Sequence, residues 1–253
     1  RIPQRDMEER PHALLLKFPG TNCDAETSRA LEEAGFSSEI LPITCVDEKS
    51  IESAQLIVLS GGFSYGDYVM AGRLAQLELE HRVGDALMRF RDDGGYLLGI
   101  CNGFQILTKL GLLPEGSLIN NTSGRFICRW VRLERRVEDN PFLRGLPENF
   151  ELPIAHAEGR FVAPEGAAEK YLDEGLAALV YGEDVNGSSC RIAGLTDSSG
   201  RVLGLMPHPE RFLWDSHHYD QDWVGDGDGR GSGYQMFKSI YNTIVGEITH
   251  EPG

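Results

Sequence analysis

One cysteine stands in a setting that could make it a nucleophile. The apolar run Tyr96–Ile100 predicts a buried strand, and Gly99-x-Cys101-x-Gly103 then leads into a segment that predicts a helix. Strand, tight turn and helix in this order are the cysteine form of the nucleophile elbow, in which small neighbours permit the sharp turn. Backbone N–H groups there would lower the thiol pKa and could hold an oxyanion. We therefore predict that Cys101 is catalytic, although a free cysteine is more often a small buried apolar residue.

A nucleophilic thiol also needs a base, and the base needs a carboxylate that fixes its tautomer. Both follow an apolar strand in the segment 207–210, which reads Pro-His-Pro-Glu. Pro209 restricts His208 to extended backbone, where residues two apart face the same side. We therefore predict that Cys101, His208 and Glu210 form a triad, because nucleophile, base and orienting group are all present.

Other histidines offer competing interpretations. His156 also precedes a carboxylate, Glu158, by two residues, so it is a rival base that the residues alone do not exclude. A histidine pair and three aspartates could bind a metal, but their irregular spacing in a glycine-rich loop is unlike a zinc site, so we expect no metal. These residues are Asp215, His217, His218, Asp220 and Asp222.

The predicted elements that position these residues alternate between strands and helices. This pattern predicts an α/β fold with a mostly parallel central sheet flanked by helices, and the strand-rich second half adds strands to it. Ligands of such sheets bind beyond the carboxyl ends of the strands, where Gly61-Gly62 and Cys101 both fall. The predicted strands are 13–18, 38–43, 55–60, 96–100, 126–133, 150–154, 177–181, 191–196 and 202–206, and the predicted helices are 25–34, 70–91, 104–110 and 234–248.

The composition bounds the organisation of the chain. With 253 residues, 41% of them hydrophobic, it can form one large domain, and we predict a single domain over 1–253. Residues 1–11 lack the apolar core of a secretory signal and are predicted to be an N-terminal extension. The Gly- and Asp-rich segment 215–233 is predicted to be a mobile loop, solvated or in contact with a partner.

Charge and cysteine pattern narrow the class of protein. The net charge of −15 disfavours nucleic acid and anionic membranes as partners. Five cysteines with long, irregular spacings and no CxxC pair predict a reducing, cytoplasmic compartment. No apolar run reaches the ~18–20 residues that a membrane span needs.

Two segments carry a resemblance to a known family. Residues 99–105 (Gly-Ile-Cys-Asn-Gly-Phe-Gln) and 207–211 (Pro-His-Pro-Glu-Arg) resemble motifs of the class I, triad-type glutamine amidotransferases. Four more segments narrow the resemblance to the glutaminase components of phosphoribosylformylglycinamidine synthase, and several long motifs in one order are more specific than any single one. These segments are 18–24, 61–68, 121–126 and 153–160.

The resemblance implies a flavodoxin-like fold and a set of roles. Cys101 would attack the carboxamide of glutamine, and ammonia would pass to a synthetase that uses ATP and Mg²⁺ to make formylglycinamidine ribonucleotide in purine biosynthesis. No cofactor is implied in this chain, and a small accessory subunit could take part. The implied oxyanion donors are Gly62 and Asn102, the implied glutamine contacts are Gln105, Ser123, Arg125 and Phe126, and His156 and Glu158 are implied to face the partner near the ammonia exit.

Two other functions stay open at this level. The chain could serve a different synthetase, with the same triad but different partner-facing segments. It could also be a cysteine hydrolase that has the same fold and acts without a partner. Loss of one triad member would instead indicate a binding module, and the intact Cys, His and Glu set argues against that.

Overall fold

A computed structural model describes residues 10–18, 21–61, 70–225 and 227–250. Its strands in chain order are β1 (His12–Lys17), β2 (Ser37–Pro42), β3 (Leu56–Leu59), β4 (Tyr96–Ile100), β5 (Ser117–Ile119), β6 (Ile127–Arg135), β7 (Asn149–His156), β8 (Arg160–Val162), β9 (Ala177–Tyr181), β10 (Ile192–Thr196) and β11 (Val202–Leu205). Its helices are α1 (Asp24–Ala34), α2 (Glu48–Glu52), α3 (Met70–Asp92), α4 (Asn102–Lys109), α5 (Ala167–Asp173) and α6 (Ser232–His250). Short 3₁₀ turns cover Ile43–Cys45, Ser189–Arg191, Pro209–Arg211 and Asp215–His217.

The described strands build a nine-stranded sheet in the order β2-β1-β3-β4-β11-β10-β9-β6-β7. The first five are parallel, and the pairs from β11 onward are antiparallel. The predicted mostly parallel α/β sheet with extra antiparallel strands is therefore confirmed. Every residue of β3, β4 and β11 is buried, as expected for strands that lie between two covering layers.

The sheet register brings the site together. Leu59 lies beside Gly99, and Ile100 lies beside Leu205, so β3, β4 and β11 end at the same edge. Each of these strands is followed by a segment that the sequence singled out: 61–68, the Cys101 elbow and 207–210. The predicted convergence at the carboxyl edge is therefore present.

Helix α1 begins beside this edge. Its first residue, Asp24, is buried, accepts a hydrogen bond from Ser60 Oγ at 2.5 Å and lies 3.4 Å from Lys17 Nζ. The backbone N–H groups of Asn22 and Cys23 donate to Gly61 O at 3.3 and 3.2 Å. The start of α1 is thus fixed to the ends of β1 and β3, next to the elbow.

Several elements differ from the sequence prediction. The short strands β5 and β8 pair only with each other, and neither they nor α2 and α5 were predicted, because runs this short carry no clear periodicity. The predicted N-terminal extension lies almost wholly outside the described residues. Among the described residues, no helix combines the length and the apolar character that crossing a membrane requires.

The segment 215–233 is more packed than its composition indicates. His218 is buried, its Nε2 lies 2.8 Å from Glu151 Oε2 on β7, and its ring stacks on Trp223 with centroids 4.7 Å apart. Trp214 forms an isolated β-bridge with Arg230 across the base of the segment. His218 is therefore shielded from solvent, and the predicted mobility of the segment stays a prediction.

Candidate active site

The elbow at Cys101 has the geometry that its glycines predict. Cys101 has φ 54° and ψ −108°, a left-handed conformation that few non-glycine residues adopt and that costs on the order of 1–3 kcal/mol. Its N–H donates to Leu205 O at 2.8 Å. A Cβ at Gly99 would lie 2.6 Å from Gly103 O, and a Cβ at Gly103 would overlap Leu59 O, so both glycines allow α4 to pack directly on the sheet.

His208 and Glu210 form a buried pair. The Nδ1 atom of His208 lies 2.5 Å from Glu210 Oε1, and His208 N–H donates to Pro153 O at 2.8 Å. His208 is near-extended, but Glu210 lies in the 3₁₀ turn Pro209–Arg211, so a turn rather than a continuous strand brings the two side chains together. Burial opposes a charge on His208, but Glu210 and Cys101 outweigh it and hold the pKa of His208 well above its ordinary value.

Gly61 connects this pair to the cysteine. A Cβ built on Gly61 would lie 3.0 Å from His208 Cε1 and 3.1 Å from Cys101 Cβ, so the two side chains flank the same glycine. His208 Nε2 is buried and has no hydrogen-bond partner among the described residues. With Nδ1 committed to Glu210, Nε2 is the ring nitrogen that remains for the thiol and the substrate.

A cavity of about 380 Å³ opens beside Cys101 and His208. Among the other predicted site residues, its lining includes Asn102, Gln105, Phe126, His156 and Glu158. A larger cavity of about 490 Å³ lies near the start of β4, far along the strand from Cys101, and its lining contains neither cysteine nor histidine. The smaller cavity is therefore the candidate active site.

Some predicted site residues lie elsewhere. Ser123 and Arg125 are exposed and do not line the cavity, and Ser123 Oγ instead accepts a hydrogen bond from Arg125 N–H at 3.2 Å. Gly62, a predicted oxyanion donor, lies outside the described residues. Asn102, the other predicted donor, is the first residue of α4, where N–H groups have no acceptor within the helix.

His156 lies in the cavity but does not have the setting of a base. It is buried, and neither ring nitrogen has a hydrogen-bond partner among the described residues, so Glu158 does not orient it. Burial, aided by the nearby His208, lowers the pKa of His156 to about 4. The carbonyl of the preceding residue, Ala155, lies 3.9 Å from Cys101 Sγ.

Cys23 also lines the cavity, although no motif in the sequence indicates a separate role for it. It is buried, and its Sγ lies 3.4 Å from Arg211 Nη2. Of the described residues, Cys23, His208 and Glu210 form a group whose donor atoms lie within 4.8 Å of one another. His208 is hydrogen-bonded to Glu210, and the Arg211 guanidinium donates a hydrogen bond to the Cys23 thiol. We therefore interpret the group as a hydrogen-bonding network. The predicted absence of a metal stays a prediction.

The comparisons with known proteins agree with this geometry. Residues 10–243 match the family model described as CobB/CobQ-like glutamine amidotransferase domain. Phosphoribosylformylglycinamidine synthase subunit PurQ of Thermotoga maritima is 40% identical over 237 residues, which cover 93% of this chain and 99% of the relative. The same subunit of Zymomonas mobilis is 41% identical over 235 residues, covering 92% and 99%.

Solved structures give the same result. A chain in the structure of PurLQS from Thermotoga maritima superposes with a TM-score of 0.74 and 36% identity, covering 93% of this chain and 99% of that one. A glutamine amidotransferase from Thermotoga maritima, 19% identical with a TM-score of 0.53 over 96% of this chain and 87% of that one, shares the fold. The chain belongs to the CobB/CobQ-like glutamine amidotransferase domain family, and within it to the PurQ subunits of phosphoribosylformylglycinamidine synthase.

Proposed function

We propose that this chain is the glutaminase of a phosphoribosylformylglycinamidine synthase. It hydrolyses glutamine to glutamate and ammonia, and it supplies the ammonia to a synthetase that makes formylglycinamidine ribonucleotide in de novo purine biosynthesis. The observation that carries the proposal is the strained Cys101 beside the buried His208–Glu210 pair. It occurs in a chain about 40% identical to PurQ subunits over almost its whole length.

The reaction begins at the thiol. His208 takes the proton of Cys101, and Glu210 stabilises the imidazolium that results. The thiolate attacks the side-chain carboxamide carbon of glutamine, and a tetrahedral oxyanion forms. The N–H of Asn102 at the start of α4 and the N–H of Gly62 are the proposed donors to that oxyanion.

The second half of the cycle returns the proton. His208 gives its proton to the amide nitrogen, the C–N bond breaks, and ammonia and a glutamyl thioester on Cys101 result. Water then attacks the thioester while His208 accepts its proton. The C–S bond breaks, glutamate leaves, and the thiol is regenerated, so the cycle consumes one water and needs no cofactor.

The contacts to glutamine come from the cavity wall. Gln105 and Phe126 line the cavity and are the proposed glutamine contacts that the geometry supports best. Ser123 and Arg125 are proposed to reach glutamine when the exposed segment 122–126 folds over the bound substrate. His156 and Glu158 are proposed to lie on the side from which ammonia leaves for the partner.

The proposal includes the assembly. ATP and Mg²⁺ act in the synthetase partner, and a small accessory subunit is supported by the likeness to a chain of PurLQS. The cytoplasmic location predicted from the cysteine pattern is part of the same proposal.

The test is glutamate release from glutamine, measured for the chain alone and with the nucleotide-loaded synthetase. We expect strong stimulation by the synthetase and no activity in Cys101→Ala. Activity retained in Cys101→Ala would show that the nucleophile is wrong. If stimulation is absent but a glutamine-like electrophile still labels Cys101, the triad stands and the chain serves a different synthetase.

A further inference from the structure

The second histidine of the cavity, His156, has no role in the cycle above. It is only 4% exposed, it borders the same cavity as Cys101 and His208, and both of its ring nitrogens lack a partner among the described residues. Buried polar groups are nearly always hydrogen-bonded, so an unpartnered ring in a substrate cavity indicates that something bound there completes it.

The His156 ring is held in place. Gly159 packs so closely on it that any Cβ at position 159 would overlap Nδ1. The backbone around it is anchored by Asn121, whose Nδ2 donates to His156 O at 2.9 Å and whose N–H donates to Ala157 O at 2.9 Å. Because the carbonyl of Ala155 lies 3.9 Å from Cys101 Sγ, this anchored backbone borders the reacting sulfur.

The two cavity histidines have opposite protonation preferences. Burial and the neighbouring His208 lower the pKa of His156 to about 4, so it is neutral at physiological pH. Glu210 and Cys101 hold the pKa of His208 well above its ordinary value, although burial opposes this. Environments that push two pKa values apart divide the work of a site between a proton donor and a group that stays neutral.

Ammonia needs such a neutral neighbour. It is a stronger base than imidazole, so an imidazolium within reach would convert it to ammonium, which has no lone pair for attack in the synthetase. A neutral imidazole has an unprotonated ring nitrogen that can accept an N–H hydrogen bond and has no acidic proton to give.

We propose that His156 accepts a hydrogen bond from the ammonia released at Cys101 and keeps it unprotonated until it leaves for the synthetase. His208 has by then given its proton to the amide nitrogen and the C–N bond has broken. No covalent bond changes at His156; one N–H of ammonia is donated to a ring nitrogen. The inference rests on the proposed function, since it concerns the transfer of the ammonia made by the triad.

The test uses the assembled complex with the synthetase and measures amidine product per glutamate formed. His156→Leu removes the ring nitrogens, and His156→Gln keeps a neutral acceptor. We expect His156→Leu to lower the ratio by about threefold to tenfold, the range that one lost hydrogen bond represents. His156→Gln should restore most of it. Synthesis driven by added ammonium chloride should be equal in all variants, since it bypasses the cavity.

Two other results with a folded His156→Leu variant would decide against the proposal. An unchanged ratio in His156→Leu would overturn it. An equal fall in glutamate and amidine at constant ratio would assign His156 to glutamine binding or to the fold. If His156→Leu does not fold, Gly159→Ala displaces the ring without removing it and should also lower the ratio. If the wild-type complex releases no glutamate, or releases it without making amidine, the proposed function fails first, which is a separate result.

Discussion

The Nδ1 atom of His208 lies 2.5 Å from Oε1 of Glu210, and side-chain exposure is 2% for the histidine and 0% for the glutamate. A carboxylate at this distance fixes the tautomer that leaves Nε2 for the thiol and stabilises the imidazolium that forms when Cys101 is deprotonated.

Glu210→Gln should separate the electrostatic role of the carboxylate from its shape. We expect kcat to fall by about 10⁴-fold, the loss seen when the aspartate of a serine-protease triad is changed to asparagine. Since His208 must be protonated to release ammonia, the alkaline limb of the pH–kcat profile lies where His208 loses its proton. The Glu210 carboxylate raises the pKa of His208, so its removal lowers that pKa and should move the alkaline limb to lower pH.

The measurement is glutamate release as a function of pH in the wild-type protein and in Glu210→Gln. Glu183→Gln is the control, because Glu183 is exposed, pairs with Arg129 and does not line the cavity. An alkaline limb that stays in place in Glu210→Gln would mean that Glu210 does not set the protonation of His208.

Gly61→Ala should impair catalysis more than stability. The new Cβ would lie 3.0 Å from His208 Cε1 and 3.1 Å from Cys101 Cβ, so it would wedge between base and nucleophile. A misplacement of about 1 Å costs on the order of 10²-fold in rate. We expect kcat to fall by that order while the melting temperature changes little, because Gly61 does not have a positive φ. Full activity in this variant would show that the two side chains do not act together across Gly61.

Gly103→Ala should act on the fold. Its Cβ would overlap the backbone oxygen of Leu59, and backbone cannot move aside as a flexible side chain can. We expect a loss of about 1–3 kcal/mol in the free energy of unfolding, as for other overpacked sites. A Cβ at Gly246 in α6 would meet no atom within 4 Å, so Gly246→Ala should instead raise the free energy of unfolding by about 0.5–1 kcal/mol. Denaturant unfolding of both variants checks the contrast, and equal effects would contradict it.

The sequence was sufficient for much of this architecture, and the reasons are physical. The runs behind β3, β4 and β11 are apolar throughout, so burial on both faces dictates strands in a parallel sheet. The elbow could be predicted because a left-handed residue between a strand and a helix needs small neighbours. The His208–Glu210 pair could be predicted because the two residues are only two positions apart in the sequence.

Contacts between segments that are distant in the sequence were harder to predict. The role of Gly61 as the shared neighbour of Cys101 and His208 depends on the register of three strands, which no local pattern encodes. Ser123 and Arg125, inferred by resemblance alone, lie outside the cavity lining. The glycines and aspartates of 215–233 are typical of a solvated loop, and they do not reveal that His218 also contacts Trp130 on β6 and Glu151 on β7.

His218→Ala tests whether the loop is a structural part of the fold. The side chain is 1% exposed, bonds Glu151 at 2.8 Å, and packs its ring against Trp130 and Trp223 at 5.0 and 4.7 Å. Its removal opens a cavity and leaves the Glu151 carboxylate without its partner, so we expect a loss of about 2–3 kcal/mol in the free energy of unfolding. His81→Ala is the matched control, since that side chain is 85% exposed and should change stability by less than about 0.5 kcal/mol. Limited proteolysis should also cut 215–233 faster in His218→Ala than in His81→Ala. If the two variants unfold and are cleaved alike, the packing of His218 contributes nothing to the loop, and its predicted mobility would be the better description.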